Sequence, residues 1–139
     1  MGFIPLDIEI LDRVSLPFGE SGVNWNTIGD VPDSPGVYAF TVADDEELRV
    51  TYVGMTSHLW MVTKGRLPDG SARGGQRYGR PKHAGSTRTR VNTLVTEQVI
   101  LGRTVRHWVR HTPDVEELPA LEESLIRKWD LRLSGWNRG

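Results

Sequence analysis

The residue with the strongest claim on chemistry is Glu122. On a helical wheel at roughly 100° per residue, Leu118, Leu121, Leu125, Ile126 and Trp129 gather on one arc, and Glu122 falls inside it. Glu123 falls nearly opposite, beside Arg127, where water can reach it. A carboxylate on an apolar face must be paired, protonated or bound to a cation, because bare burial is costly. An ion pair with an arginine and a bound metal ion both meet that requirement.

The second candidate feature is a run of basic residues. Between Lys64 and Arg90 the chain carries Arg66, Arg73, Arg77, Arg80, Lys82 and Arg88, opposed only by Asp69. From Asp30 to Glu47 the sign reverses, with Asp33, Asp44, Asp45 and Glu46 between. The formal net charge of -1 hides this segregation. A basic stripe on a near-neutral domain suits a polyanion such as nucleic acid. A solvated loop paired with the acidic segment is the other reading. His83 lies inside the run and has an unperturbed pKa in the range useful for proton transfer. His58, His107 and His111 read as surface side chains or strand-face contacts. Of the five tryptophans, Trp108 and Trp129 read as core, and Trp60 is the one placed to meet nucleic acid.

These residues need a scaffold. A chain of 139 residues suits one domain, 1–139. With 37% hydrophobic residues it can fill one core. Cysteine is absent, which excludes disulfides and thiolate metal sites. No apolar run is long enough for a membrane span, and Met-Gly-Phe-Ile-Pro lacks the pattern of a signal peptide, so the expectation is a cytoplasmic protein.

Val37 to Val42 reads as a strand with Tyr38, Phe40 and Val42 on one face. Leu48 to Val53 reads as the returning strand, with Val50 and Tyr52 on one face. The polar link Asp44–Glu47 makes the pair a hairpin, and in one register Tyr38 and Tyr52 share a face. Thr56 to Lys64 can open a helix, and 65–85 is irregular. Thr89 to Leu101 is a helix carrying Val91, Leu94, Val95 and Ile100, stopped by Gly102. Thr104 to Arg110 resembles a third strand. Thr112-Pro113-Asp114 then starts a helix over Val115–Leu131. Residues 1–30 alternate too irregularly to assign and form an N-terminal extension to a core over 31–139, with an Arg/Gly-rich insertion at about 60–85. The order β-β-α-β-α predicts an α+β domain, a small three-stranded antiparallel sheet flanked by helices.

Gly36-Val37-Tyr38 and Tyr52-Val53-Gly54, separated by a short link, resemble the paired signatures of the GIY-YIG nuclease superfamily. Leu121-Glu122-Glu123-Ser124-Leu125-Ile126, followed by Trp136-Asn137, is similar to that family's closing helix, and the register selects Glu122. The resemblance covers roughly residues 30 to 139. It implies an endonuclease that hydrolyses phosphodiester bonds with one divalent cation, Mg2+ or Mn2+, held by Glu122. Tyr38 and Tyr52 are the signature tyrosines, and Tyr38 or His83 assists deprotonation of the attacking water. Gly36, Gly54 and Asn137 are supporting residues. Val62 stands where many members carry their arginine, so that role passes to Arg73, then Arg77, within a Tyr-x-Arg-Pro-like stretch, with Arg66 third. Arg66, Arg80, Lys82, Arg88 and Arg90 are the expected nucleic-acid contacts. The expected partner is double-stranded DNA; a homodimer stays open.

The chemistry accounts for these residue types. A phosphodiester anion repels nucleophiles, and a hard cation on a carboxylate polarises it and stabilises the leaving oxygen. A guanidinium offers a planar fork to the other oxygens. A tyrosine with a pKa near ~10 needs neighbouring cations to serve as a base near neutral pH. The alternative is a catalytically silent nucleic-acid-binding module on the same scaffold.

Overall fold

The computed structural model describes residues 8–18, 22–27, 34–59 and 87–138. The described elements run β1 (Ile8–Phe18), β2 (Gly22–Thr27), β3 (Gly36–Ala43), β4 (Leu48–Thr56), α1 (Thr87–Ile100), β5 (Thr104–His111), α2 (Leu118–Lys128) and α3 (Leu131–Ser134). A short 3-10 turn, Val115–Glu117, leads into α2. The strands form one antiparallel sheet in the order β2-β1-β5-β3-β4.

The three strands expected from the sequence are the contiguous set β5-β3-β4, and the α+β class holds. The sheet is wider than expected, because residues 8–27 of the N-terminal segment supply two further strands. Their alternation is hard to read for a physical reason. β1 carries register shifts between Glu9 and Leu11, Leu11 and Val14, and Ser15 and Phe18. Each shift breaks the period of two on which a strand is recognised.

Two apolar clusters sandwich the sheet. On one face Tyr38, Phe40 and Tyr52 pack with Val91, Val95 and Val99 of α1. On the other, Val37, Ala39, Val53 and Trp108 pack with Leu118, Leu125 and Ile126 of α2 and Leu131 of α3. The inward stripe of α1 ends on Val99 instead of Ile100, which is 68% exposed. An i, i+4 spacing from Val91 selects Val95 and Val99. Gly102, at φ 83, then ends the helix, and the amides of Gly102 and Arg103 bond back to Val99 and Gln98.

Three further expectations need correcting. Val50 and Tyr52 do not share a face: Val50 packs with the α2 cluster and Tyr52 with the α1 cluster. The register shifts there, with Phe40 opposite Tyr52 and Thr41 opposite Val50, so Thr51 is the extra residue of a bulge. Its hydroxyl donates to the Phe40 carbonyl at 3.2 Å. Thr56 closes β4, and the helical conformation expected from Thr56 is first met at Leu59; the rest of the span to Lys64 lies outside the described residues. The helix expected over Val115–Leu131 begins as the 3-10 turn, capped by Asp114, whose side chain accepts from Glu116 N–H at 3.0 Å. It breaks after Lys128, where Asp130 adopts a left-handed conformation, φ 54.

Candidate active site at the free edge of the sheet

β4 is an edge strand, and its outward main-chain groups need partners other than a neighbouring strand. The C-terminal segment and α2 provide them. Trp136 N–H donates to the Thr51 carbonyl at 2.6 Å. The Asn137 carboxamide pairs with both groups of Val53, its Oδ1 accepting from the N–H at 3.0 Å and its Nδ2 donating to the carbonyl at 2.8 Å. The next outward amide, that of Met55, donates to the Glu122 carboxylate. Asn137 and Glu122 therefore occupy successive rungs of one edge, and this gives the supporting asparagine a definite task.

The strap formed by residues 135–138 also ties the two faces together. It leaves α3, whose Leu131 belongs to the α2 cluster, and its Trp136 ring packs against the α1 cluster. Gly135 lets it pass, since a Cβ there would stand 2.6 Å from the Thr51 carbonyl oxygen. Arg90 of α1 fixes it from the far side, donating to the Trp136 carbonyl at 2.7 Å. Sequence reasoning assigned Arg90 to nucleic acid; at least part of its guanidinium serves the strap.

Glu122 and Glu123 divide as the wheel requires. Glu123 accepts from Arg127 at 2.8 Å and, with both oxygens, from Arg132 at 2.7 and 2.6 Å. These guanidinium hydrogen bonds hold its pKa down, at about 2. Glu122 is half-buried and its pKa is raised, first by desolvation and then by the Glu123 charge, with the Met55 amide and Arg132 opposing. The ion pair that could have explained Glu122 therefore belongs to its neighbour.

The tyrosines reach the same strand from the other face. Tyr38 and Tyr52 lie on the α1 side with ring centroids 6.3 Å apart, and Tyr38 stands opposite Gly54 in the register. A Cβ on Gly54 would overlap the Tyr38 ring and hydroxyl. The glycine of the second signature is thus the floor on which Tyr38 lies. Gly36 is tight for another reason: its Cβ would collide with the Arg110 carbonyl of β5. Tyr38 and Glu122 consequently meet β4 at consecutive residues, Gly54 and Met55, from opposite faces.

His107 is fully buried, stacked on Phe40 at 4.4 Å between centroids and edge-on to Tyr38 at 5.3 Å. Burial drives its pKa down to about 3, so it is a neutral core group. His111 is exposed, with Nδ1 at 2.7 Å from Ser34 Oγ. Trp108 is core as expected, its Nε1 donating to Thr41 Oγ1 at 2.8 Å. Arg66, Arg73, Arg77, Arg80, Lys82 and His83 lie outside the described residues, as does the side chain of Arg88.

Compared with family models, with curated proteins and with solved structures, the chain matches none.

The fit of a divalent cation can be tested on the donor set. Among the described residues no group of three or more His, Cys, Asp or Glu side chains could cage a metal ion. A cation at Glu122 would complete its shell with water and phosphate oxygens. That is how a small hard cation is commonly held beside a phosphorylated or polyanionic substrate, on one or two carboxylates.

Proposed function

We propose that the chain is a Mg2+- or Mn2+-dependent endonuclease of the GIY-YIG type, acting on the phosphodiester backbone of DNA in the cytoplasm. The observation that carries this reading is the convergence of Glu122 and Tyr38 on Met55 and Gly54 of one edge strand. It brings the distant third signature, around Glu122, to the strand that carries the second and pairs with the first. Glu122 is half-buried beside the end of β4, and Tyr38, 2% exposed, lies against Gly54 from the other face of the same strand.

In this reading Glu122 holds the cation, which supplies Lewis acidity toward the phosphate oxygens when bound. The Met55 amide orients the Glu122 carboxylate by engaging part of its acceptor capacity. Tyr38, fixed over Gly54 by Phe40, His107 and Tyr52, directs its hydroxyl to the same end of β4. Glu123 is already committed to Arg127 and Arg132 and takes no part. The catalytic arginine is sought first at Arg73 and Arg77, then at Arg66.

The test is nicking of supercoiled plasmid in Mg2+ by the wild-type chain, Glu122→Gln and Glu123→Gln. Wild type and Glu123→Gln should nick, and Glu122→Gln should not. Glu122→Gln should also raise the urea midpoint above pH 7, because a carboxyl whose folded pKa is raised costs stability once it ionises. A metal-independent rate, or equal loss in both variants, overturns the assignment. Wild-type binding to DNA without any cleavage would favour the silent binding module.

A further inference from the structure

Glu123 has more positive charge around it than an exposed carboxylate needs. Arg127, its i, i+4 neighbour, already answers it at 2.8 Å. Arg132 is brought to the same carboxylate by a separate device. Asp130 turns the chain in a left-handed conformation, and Leu131, 0% exposed, anchors α3 in the α2 cluster. The next residue, Arg132, then grips both Glu123 oxygens, at 2.7 and 2.6 Å. One carboxylate against two guanidiniums leaves this trio with one net positive charge.

That surplus lies beside the candidate metal ligand. Glu122 adjoins Glu123 in α2, and of the two arginines it is Arg132 whose charge acts on Glu122, an attraction that each of the pair feels from the other. Arg132 does not close over Glu122, since its two bonds to Glu123 are its only hydrogen bonds among the described residues. A guanidinium has more N–H groups than one carboxylate takes up, and the Arg132 side chain is 37% exposed. Its remaining donors are open to a ligand, and its long side chain is already ordered, which lowers the entropic cost of using it.

We propose that Arg132, held in place by Glu123, is a phosphate-binding residue of the Glu122 site, donating its remaining N–H groups to non-bridging oxygens of the DNA backbone. The assignment rests on the nuclease reading above. Glu122 alone repels a polyanion, and the surplus charge of the trio offsets it. A planar fork fixed by one anion can bridge to the oxygens of a second. Glu123 is the positioning residue of this contact and touches no substrate itself.

The experiment measures binding of a short DNA duplex in EDTA as a function of salt, for the wild-type chain, Arg132→Gln, Arg132→Lys, Arg127→Gln and Glu123→Gln. Arg127→Gln removes the same charge from the same trio and is the control for charge alone. Urea titrations set a temperature at which every variant is folded. Arg132→Gln should bind about tenfold more weakly at low salt and lose about one unit of salt slope. Arg132→Lys should keep the slope, and Arg127→Gln should stay near the wild type. Glu123→Gln keeps an acceptor for Arg132 and removes a negative charge, so it should bind at least as tightly as the wild type. Opposite responses from the two partners of one ion pair are what a merely structural pair would not give. Unchanged affinity and slope in Arg132→Gln, or an equal loss in Arg127→Gln or Glu123→Gln, overturns the assignment while leaving the nuclease reading intact. A wild-type chain that neither binds duplex nor nicks plasmid overturns the nuclease reading, and the role of Arg132 falls with it.

Discussion

Asn137→Ala removes the rung of the β4 edge next to Glu122. Two hydrogen bonds disappear, at 3.0 and 2.8 Å, and both end on Val53, which is 0% exposed. A net hydrogen bond is worth about 1 kcal/mol, and a stranded buried group costs about 1–3 kcal/mol. If the strap lifts and water reaches Val53, the loss is about 2 kcal/mol. If the strap stays and keeps the edge dry, the loss approaches about 4 kcal/mol by the same figures. With a urea m-value of about 1–3 kcal/mol/M, the midpoint should drop by on the order of 1 M. Amide hydrogen exchange separates this from a general weakening. The Val53 and Met55 amides should lose protection, while those of Ala39 and Val109 in the sheet interior should fall only with global stability. Asn137→Asp keeps an acceptor for the Val53 amide but sets a carboxylate oxygen against the Val53 carbonyl, so it should be no better than alanine at neutral pH. A loss below about 0.5 kcal/mol, with Val53 still protected, would refute the edge-pairing role and the placement of Glu122 that depends on it.

His107 gives a pH signature. Its folded pKa, about 3, lies below the ordinary value of 6.5, so the stability its neutral form supports is present above pH 6.5 and is lost as pH falls toward 3. The urea midpoint should decline across that window, and His107→Phe should flatten the decline; an unchanged slope in that variant would place the acid sensitivity elsewhere. Gly54→Ala sets a Cβ against the Tyr38 ring, 2.9 Å from Cε1 and closer to Cζ and the hydroxyl. It should cost about 1–3 kcal/mol and slow nicking, and in a Tyr38→Ala background the added cost in a denaturation cycle should be under about 0.5 kcal/mol.

What the sequence made legible was whatever depends on local periodicity. Glu122 stood out because one helix turn of apolar neighbours surrounds it, and the Glu123–Arg127 pair is an i, i+4 contact. Tyr38, Phe40 and Val42 alternate cleanly because β3 lies between β5 and β4 and is continuously paired with β5. What stayed hidden depends on contacts distant in sequence or on broken periods. Arg132 reaches Glu123 only because the helix breaks at Asp130, and an aspartate in a left-handed conformation leaves no pattern that marks it in advance. The bulge at Thr51 moves Val50 to the opposite face from Tyr52 without any turn residue to announce it. Arg90 meets Trp136 across a separation of 46 residues, which no local rule spans.

The edge explains why these hidden contacts and the proposed chemistry coincide. An outer strand left bare invites pairing with another chain, and covering it with a further strand would satisfy its amides by carbonyls alone. Here the partners are a carboxamide at Val53 and a carboxylate at Met55. The carboxamide satisfies a donor and an acceptor together and closes its rung. The carboxylate has more acceptor capacity than one amide can fill, so its rung remains able to take a proton, a cation or a donor from a ligand. Desolvation makes that remaining capacity more avid for a cation than it would be in water. The same half-burial that destabilises an ionised Glu122 in the folded chain is therefore what would make it a metal ligand.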